Sequence, residues 1–333
     1  MYKHIILTGV LALSLASCAK ETSSVKEESG PLMDFQTTAS EGESSELLDR
    51  QTKSGVLEDN SSLKTAGNQI ALFGSYVKGG VTNQVFDSDP ELLTYRSGWH
   101  YAPLQRWQKT ADYLFRACFP YTSDIQSSSS AKLMVVNYKS VSEQYDLLVA
   151  TETRNPATDI EGTNPVTLNF KHALSAVRFT IQYRSDVTPT TTKDCITELY
   201  VTKIYPIGAL AYGQTNSSDP IDAMNWVCNY FSETEQYYRW NGSKEFGVGS
   251  KQTVYDGSGV TFTIPQTLKG AQVNFNTEKG GATLYTASLM DKISKWEPGK
   301  IYTYNLIVLG SSVEVDVDIK DWTDITSNID IYL

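Results

Sequence analysis

Apolar and polar residues alternate one by one along several stretches of this chain, and a period of two dictates strand. Val177, Phe179, Ile181 and Tyr183 alternate with Arg178, Thr180, Gln182 and Arg184. Val260, Phe262 and Ile264 flank Thr261 and Thr263, and Val313, Val315, Val317 and Ile319 alternate with Glu314, Asp316, Asp318 and Lys320. Successive side chains of a strand point to opposite faces, so each run predicts one buried face and one wet face. The Val313–Ile319 strand should bury its valines and expose Glu314, Asp316 and Asp318, because a slip of one residue would invert every side chain. Residues 70–77, 133–138, 147–151 and 302–308 are further strand candidates, rich in Val, Ile, Tyr and Phe. Gly79-Gly80 and Gly280-Gly281 fall between such runs and read as hairpin turns. No amphipathic helical run exceeds three turns. The expected class is all-β, with antiparallel sheets packed face to face as sandwiches.

The length of 333 residues fits two domains at roughly 100–200 residues each. The boundary is expected between Arg154 and Pro165, where Pro156, Gly162 and Pro165 interrupt two strand-rich regions. That gives an N-terminal sandwich over residues 32–160 and a C-terminal one over 164–333.

Ahead of them lies a different kind of sequence. Tyr2, Lys3 and His4 precede an apolar or small run from Ile5 to Leu15, and Leu15-Ala16-Ser17-Cys18 closes it. This is the anatomy of a secretory signal, and it falls short of the ~20 residues that span a bilayer. Leu-Ala-Ser-Cys resembles a bacterial lipobox. The resemblance implies that residues 1–17 are removed and that Cys18 carries the lipid holding the chain in the outer membrane. Residues 18–31 are rich in Ser, Glu and Lys and are expected to be a solvated tether. Residues 32–38 form a candidate first strand, separated from the next by a polar stretch running to Gly67.

The formal charge of −10 argues against nucleic acid and against a polybasic grip on anionic lipid. Besides Cys18 there are Cys118, Cys195 and Cys228, too few for a disulfide scaffold. Cys118 lies in an apolar run and is expected as a buried thiol. Whether Cys195 and Cys228 pair stays open at this point. Chemistry-bearing motifs are missing. His100 and His172 have no His-x-x-His or His-Glu-x-x-His partner, so no metal site is expected. His172, beside a strand, reads as a packed, hydrogen-bonded histidine. No Gly-x-Ser-x-Gly elbow occurs, and Gly247-Val248-Gly249-Ser250-Lys251 lacks the order of a phosphate loop. Neither enzymatic activity nor a cofactor is expected.

Aromatic residues stand out instead: 20 tyrosines and 6 tryptophans, with clusters at Trp99-His100-Tyr101 and Tyr237-Tyr238-Arg239-Trp240. A row of exposed rings could stack on sugars, giving a glycan-binding surface lipoprotein. Packing inside the sandwiches is the competing explanation. The two differ in whether Trp99, Trp107, Trp226 and Trp240 are buried or lie coplanar at the surface.

A series of short motifs then gives a direction. Ile70-Ala71-Leu72-Phe73-Gly74-Ser75-Tyr76 comes first, then Ser97-Gly98-Trp99-His100-Tyr101-Ala102-Pro103 with Arg106-Trp107. Tyr113-Leu114-Phe115-Arg116-Ala117-Cys118-Phe119-Pro120-Tyr121 and the run from Leu168 to Phe179 follow. Ile264-Pro265-Gln266, the run from Trp296 to Tyr304, and Asp321-Trp322 complete it. In this order, behind a lipobox, they resemble the fimbrillins, lipoprotein precursors of type V pili. One departure is Cys118, where an aromatic is common. The resemblance implies two tandem transthyretin-like β-sandwich domains in a structural and adhesive pilus subunit or anchor. It implies other pilin subunits as partners, through an N-terminal strand removed by an arginine-specific protease and replaced by a neighbour's strand. On this reading Arg50 is the processing site, and Leu32, Met33 and Phe35 are the side-chain anchors of the first strand.

Overall fold

The computed structural model describes residues 29–39, 63–127, 133–156, 165–185, 193–213, 224–256, 259–279 and 284–321. Cys18, Arg50, Gly280-Gly281 and Trp322 lie outside them. Regular structure among the described residues is almost wholly strand, arranged as two sandwiches.

The first sandwich is built on an eight-stranded sheet. In spatial order it runs Phe35–Ala39, Val166–His172, Leu148–Arg154, Asp112–Phe119, Gln69–Lys78, Glu91–Tyr95 and Trp99–His100, with Val81–Gln84 alongside Gln69–Lys78. One face of it packs against a four-stranded sheet of Met224–Asn229, Ile207–Gly213, Leu133–Lys139 and Ile125–Ser127. Ala71, Phe73, Cys118 and Val149 meet Met134, Val136, Leu210 and Tyr212 there. The opposite face carries Ile70, Leu72, Phe115 and Ala117, which bury against Trp107, Phe86 and the N-terminal segment. Central strands buried on both faces explain the near-continuous apolar runs at 70–73 and 115–119. The hairpin turn at Gly79-Gly80 is present: Lys78 pairs with Val81, and both glycines hold positive φ, 59° and 81°.

The second sandwich sets a five-stranded sheet against a four-stranded one. Gln252–Thr253, Ser175–Tyr183, Lys300–Leu309 and Ser312–Asp321 run in that order, with Thr261–Thr263 beside Ser175–Tyr183. Tyr237–Gly247, Lys193–Thr202, Gln272–Thr277 and Tyr285–Ser288 form the facing sheet. Phe179, Ile181, Tyr304 and Leu306 meet Leu199, Val201, Val273 and Phe275 in the core. Each such side chain contributes about 1.5–3 kcal/mol relative to exposure. Ser312–Asp321 keeps the expected parity, with Glu314, Asp316 and Asp318 exposed. Its valines are only half-buried and Ile319 is 45% exposed, because this strand forms the sheet's edge.

Three features depart from the sequence reading. Pairing is mostly antiparallel, but Phe35–Ala39 runs parallel to Val166–His172, and Ser175–Tyr183 runs parallel to Lys300–Leu309. Parallel neighbours need long connections, and more than a hundred residues separate each of these pairs. Secondly, strands from the two sides of the 154–165 stretch share sheets. Val166–His172, expected in the second unit, pairs with Leu148–Arg154, and Ile207–Gly213 pairs with Leu133–Lys139. Closing such long loops adds little entropy over short ones, since the cost grows only with the logarithm of length. Thirdly, residues 29–31, read as the end of the tether, are strand: Ser29–Leu32 pairs with Arg106–Gln108. A Cβ on Gly30 would stand 2.9 Å from the Trp107 carbonyl oxygen, so this close approach requires glycine.

Cys118 is buried, as expected. Cys195 and Cys228 are free thiols on strands of different sandwiches and do not pair. His172 is buried and hydrogen-bonded, its Nδ1 2.8 Å from Asp146 Oδ2.

Candidate functional site

The Phe35–Ala39 strand occupies one edge of the eight-stranded sheet. Val166 to Phe170 lie opposite Phe35 to Ala39 in register, and the Val166 amide donates to the Asp34 carbonyl at 2.8 Å. Upstream, the chain bends at Met33-Asp34, where the Asp34 carboxylate accepts from the Phe35 amide at 2.8 Å. The candidate first strand of residues 32–38 is therefore two strands, Ser29–Leu32 and Phe35–Ala39, joined at this bend.

Parity decides which side chains enter the core. Met33 and Phe35 are 3% and 4% exposed, Thr37 is buried with them, and Leu32 is 40% exposed. Of the three expected anchors, Met33 and Phe35 point inward. Leu32 does not: counting back by twos from Phe35 reaches Met33, not Leu32. The Phe35 ring makes edge-on contacts with Tyr101 at 5.5 Å and Phe115 at 5.3 Å between centroids. Perpendicular geometry puts the positive edge of one ring on the negative face of the other.

Side chains from the far edge of the same sheet complete the grip. Trp99, on the Trp99–His100 strand, donates its indole N–H to Thr37 Oγ1 at 3.0 Å. The Tyr101 hydroxyl donates to the Met33 carbonyl at 3.0 Å and accepts from the Gln105 amide at 3.2 Å. Burial pushes the Tyr101 pKa up, so the hydroxyl stays a donor. The Met33 amide donates to Gln105 at 2.9 Å. The two edges of the sheet thus meet across the N-terminal segment, which fills the seam between them. A cleft of about 580 Å³ opens beside it, lined by Leu32, Phe35, Thr37, Trp99, Tyr101 and Leu104 among others. Substituting Trp99→Phe should leave an aromatic ring in place but lose the Thr37 bond, weakening the hold on this segment by about 0.5–1.5 kcal/mol. Amide hydrogen exchange of residues 35–39 measures that loss directly.

The sequence marks Trp99 and Tyr101 as part of an aromatic cluster and of a motif series, without a partner for either, and gives Thr37 no role of its own. Applying the period of two to residues 33–37 was the signal that could have found Thr37. Trp107 and Trp240 are buried, Trp99 and Trp226 half-buried, and the four lie on strands of four different sheets and form no surface row. Among the described residues no group of His, Cys, Asp or Glu is arranged to hold a metal. What the site can do is hold an extended segment, through a backbone ladder on one side and side-chain pockets at every second residue.

Comparison with known proteins gives the same architecture. The family model described as fimbrillin-like matches residues 56–322. A fimbrial protein from Bacteroides vulgatus superposes with a TM-score of 0.57 at 16% identity, covering 87% of this chain and 99% of that one. A candidate cell adhesion protein from Bacteroides ovatus gives 0.54 at 12% identity, covering 90% of this chain and 99% of that one. At such identities the likeness is one of fold. No curated protein matches the sequence.

Proposed function

Because the chain belongs to the fimbrillin-like family, we propose that it is a cell-surface pilus subunit or pilus anchor that joins its neighbours by strand exchange. The observation that carries this reading is the N-terminal strand itself. It lies on a sheet edge, in parallel pairing, with Met33, Phe35 and Thr37 buried in a groove that, among the described residues, is formed from Leu63 onward. Removing such a strand uncovers backbone groups and apolar pockets that only another strand can satisfy, and an unpaired edge is a template for one. A head-to-tail contact of this kind is heterologous, so repeating it builds an open filament.

In this proposal Cys18 bears the lipid that holds the precursor in the outer membrane, and cleavage after Arg50 frees the strand. Among the described residues no helix is long and apolar enough to cross a membrane. Arg50 sits in a polar stretch with no other arginine before Arg96, and polar loops are where proteases cut. The two sandwiches correspond in this reading to the tandem transthyretin-like domains of the family.

Mass spectrometry of the mature N-terminus tests both steps. Precursor should begin at lipidated Cys18, and subunits within polymers at Gln51. Arg50→Ala should leave secretion and lipidation intact while blocking conversion and polymer growth. Normal polymers from Arg50→Ala with the N-terminal peptide still attached would overturn strand exchange, and a free thiol at Cys18 in the mature chain would overturn the lipid anchor.

A further inference from the structure

A second cavity, wide open to solvent and of about 490 Å³, shares no lining residue with the groove and lies where the two sandwiches adjoin. Its floor is one face of the Met224–Asn229 edge strand, where Met224, Trp226 and Cys228 are half-buried. Its walls are the segments at 265–269 and 295–298, held together by pairing of Gln266 with Trp296. This volume falls in the ~300–1,000 Å³ range of small-ligand sites.

The aromatic lining is fixed in place. Trp226 donates its indole N–H to the Ala173 carbonyl at 2.9 Å and sets its ring edge-on to Tyr138. Tyr205 is clamped through its backbone by Gln266, which accepts from its amide at 2.8 Å and donates to its carbonyl at 3.0 Å. Its ring leans on Phe231 at 5.1 Å. The Trp226 ring therefore has little rotamer freedom left to lose on binding, and Tyr205 is held at the rim by its backbone.

Charge selects the occupant. Lys295 is paired with Glu297 at 2.6 Å. Lys269 forms no ion pair among the described residues; its Nζ stands 5.9 Å from the centre of the Tyr205 ring. Among the described residues this ammonium has no carboxylate partner, and it stands over the Tyr205 ring in a chain carrying a net charge of −10. Rings offer a flat surface for the C–H face of a pyranose. Thr267 and Glu297 offer a hydroxyl and a carboxylate for sugar hydroxyls.

We propose that this cavity binds an acidic saccharide, its ring against Trp226 and Tyr205 and its carboxylate on the Lys269 ammonium. The site does not rest on strand exchange and would be present in a shaft, tip or anchor subunit alike.

The test titrates the full-length chain with a glucuronate-terminated disaccharide and with its neutral glucose-terminated counterpart, following tryptophan fluorescence and the Met224 methyl resonance. The acidic sugar should shift both signals and bind at least about fivefold more tightly than the neutral one, as one charge-assisted hydrogen bond allows. Lys269→Gln, at an exposed position that should not disturb folding, should abolish that preference, and Lys269→Arg should retain it. Equal affinity for the two sugars, no binding of either, or a preference unchanged in Lys269→Gln would each overturn the proposal. Equally tight binding of a short acidic peptide at the same residues would assign the cavity to a protein partner and overturn it as well.

Discussion

Phe35→Ala should release the N-terminal strand from its groove while leaving both sandwiches folded. The ring is buried against Tyr101, Phe115 and Phe86, and removing a buried phenylalanine costs about 3–5 kcal/mol. Because this strand is a sheet edge, the loss falls on local opening rather than global unfolding. Hydrogen exchange should accelerate in residues 33–39 and at the Val166 amide, which bonds Asp34, and stay slow in Asp112–Phe119 at the sheet centre. Leu32→Ala serves as the control: that side chain is largely exposed and its loss should change stability by no more than about 0.5 kcal/mol. Equal effects of the two substitutions would show that burial parity does not govern how this strand is held.

Asp146→Ala should destabilise the fold more widely. Asp146 and His172 are almost wholly buried, 2.8 Å apart, and His172 ends the Val166–His172 strand that forms one wall of the groove. The pair also ties the segment before Leu148–Arg154 to that strand. Deleting Asp146 takes this partner from the buried His172 ring nitrogen, and a buried polar group left unsatisfied costs about 1–3 kcal/mol, more where an ionised group is involved. Asp146→Asn retains the shape and one hydrogen-bonding oxygen and should lose less. Denaturant midpoints for the two variants check this, and the reading fails if Asn is as damaging as Ala.

The sequence by itself determined what depends on neighbouring residues. A period of two at 313–319 gave the facing of Glu314, Asp316 and Asp318, because the pleat fixes side-chain direction within a strand. Gly79-Gly80 gave a turn, because both residues need positive φ. His172 read as a packed histidine and Cys118 as a buried thiol, and both are. Of the three residues that the family resemblance made anchors, Met33 and Phe35 are buried and Leu32 is not, and counting by twos from Phe35 selects Met33 and Thr37.

Only the tertiary structure decided which strand lies beside which. Nothing near Val166 distinguishes a partner at Leu148–Arg154 from one in the second sandwich, nor a parallel from an antiparallel neighbour at Phe35–Ala39. Nothing near Trp99 announces that its indole will meet Thr37, 62 residues away in the chain, where the two edges of one sheet come together. Alternation is a property of one strand's own backbone and is complete in a window of a few residues. Partner choice minimises exposed edges and apolar surface over the whole chain at once, and those surfaces exist only after the strands have come together.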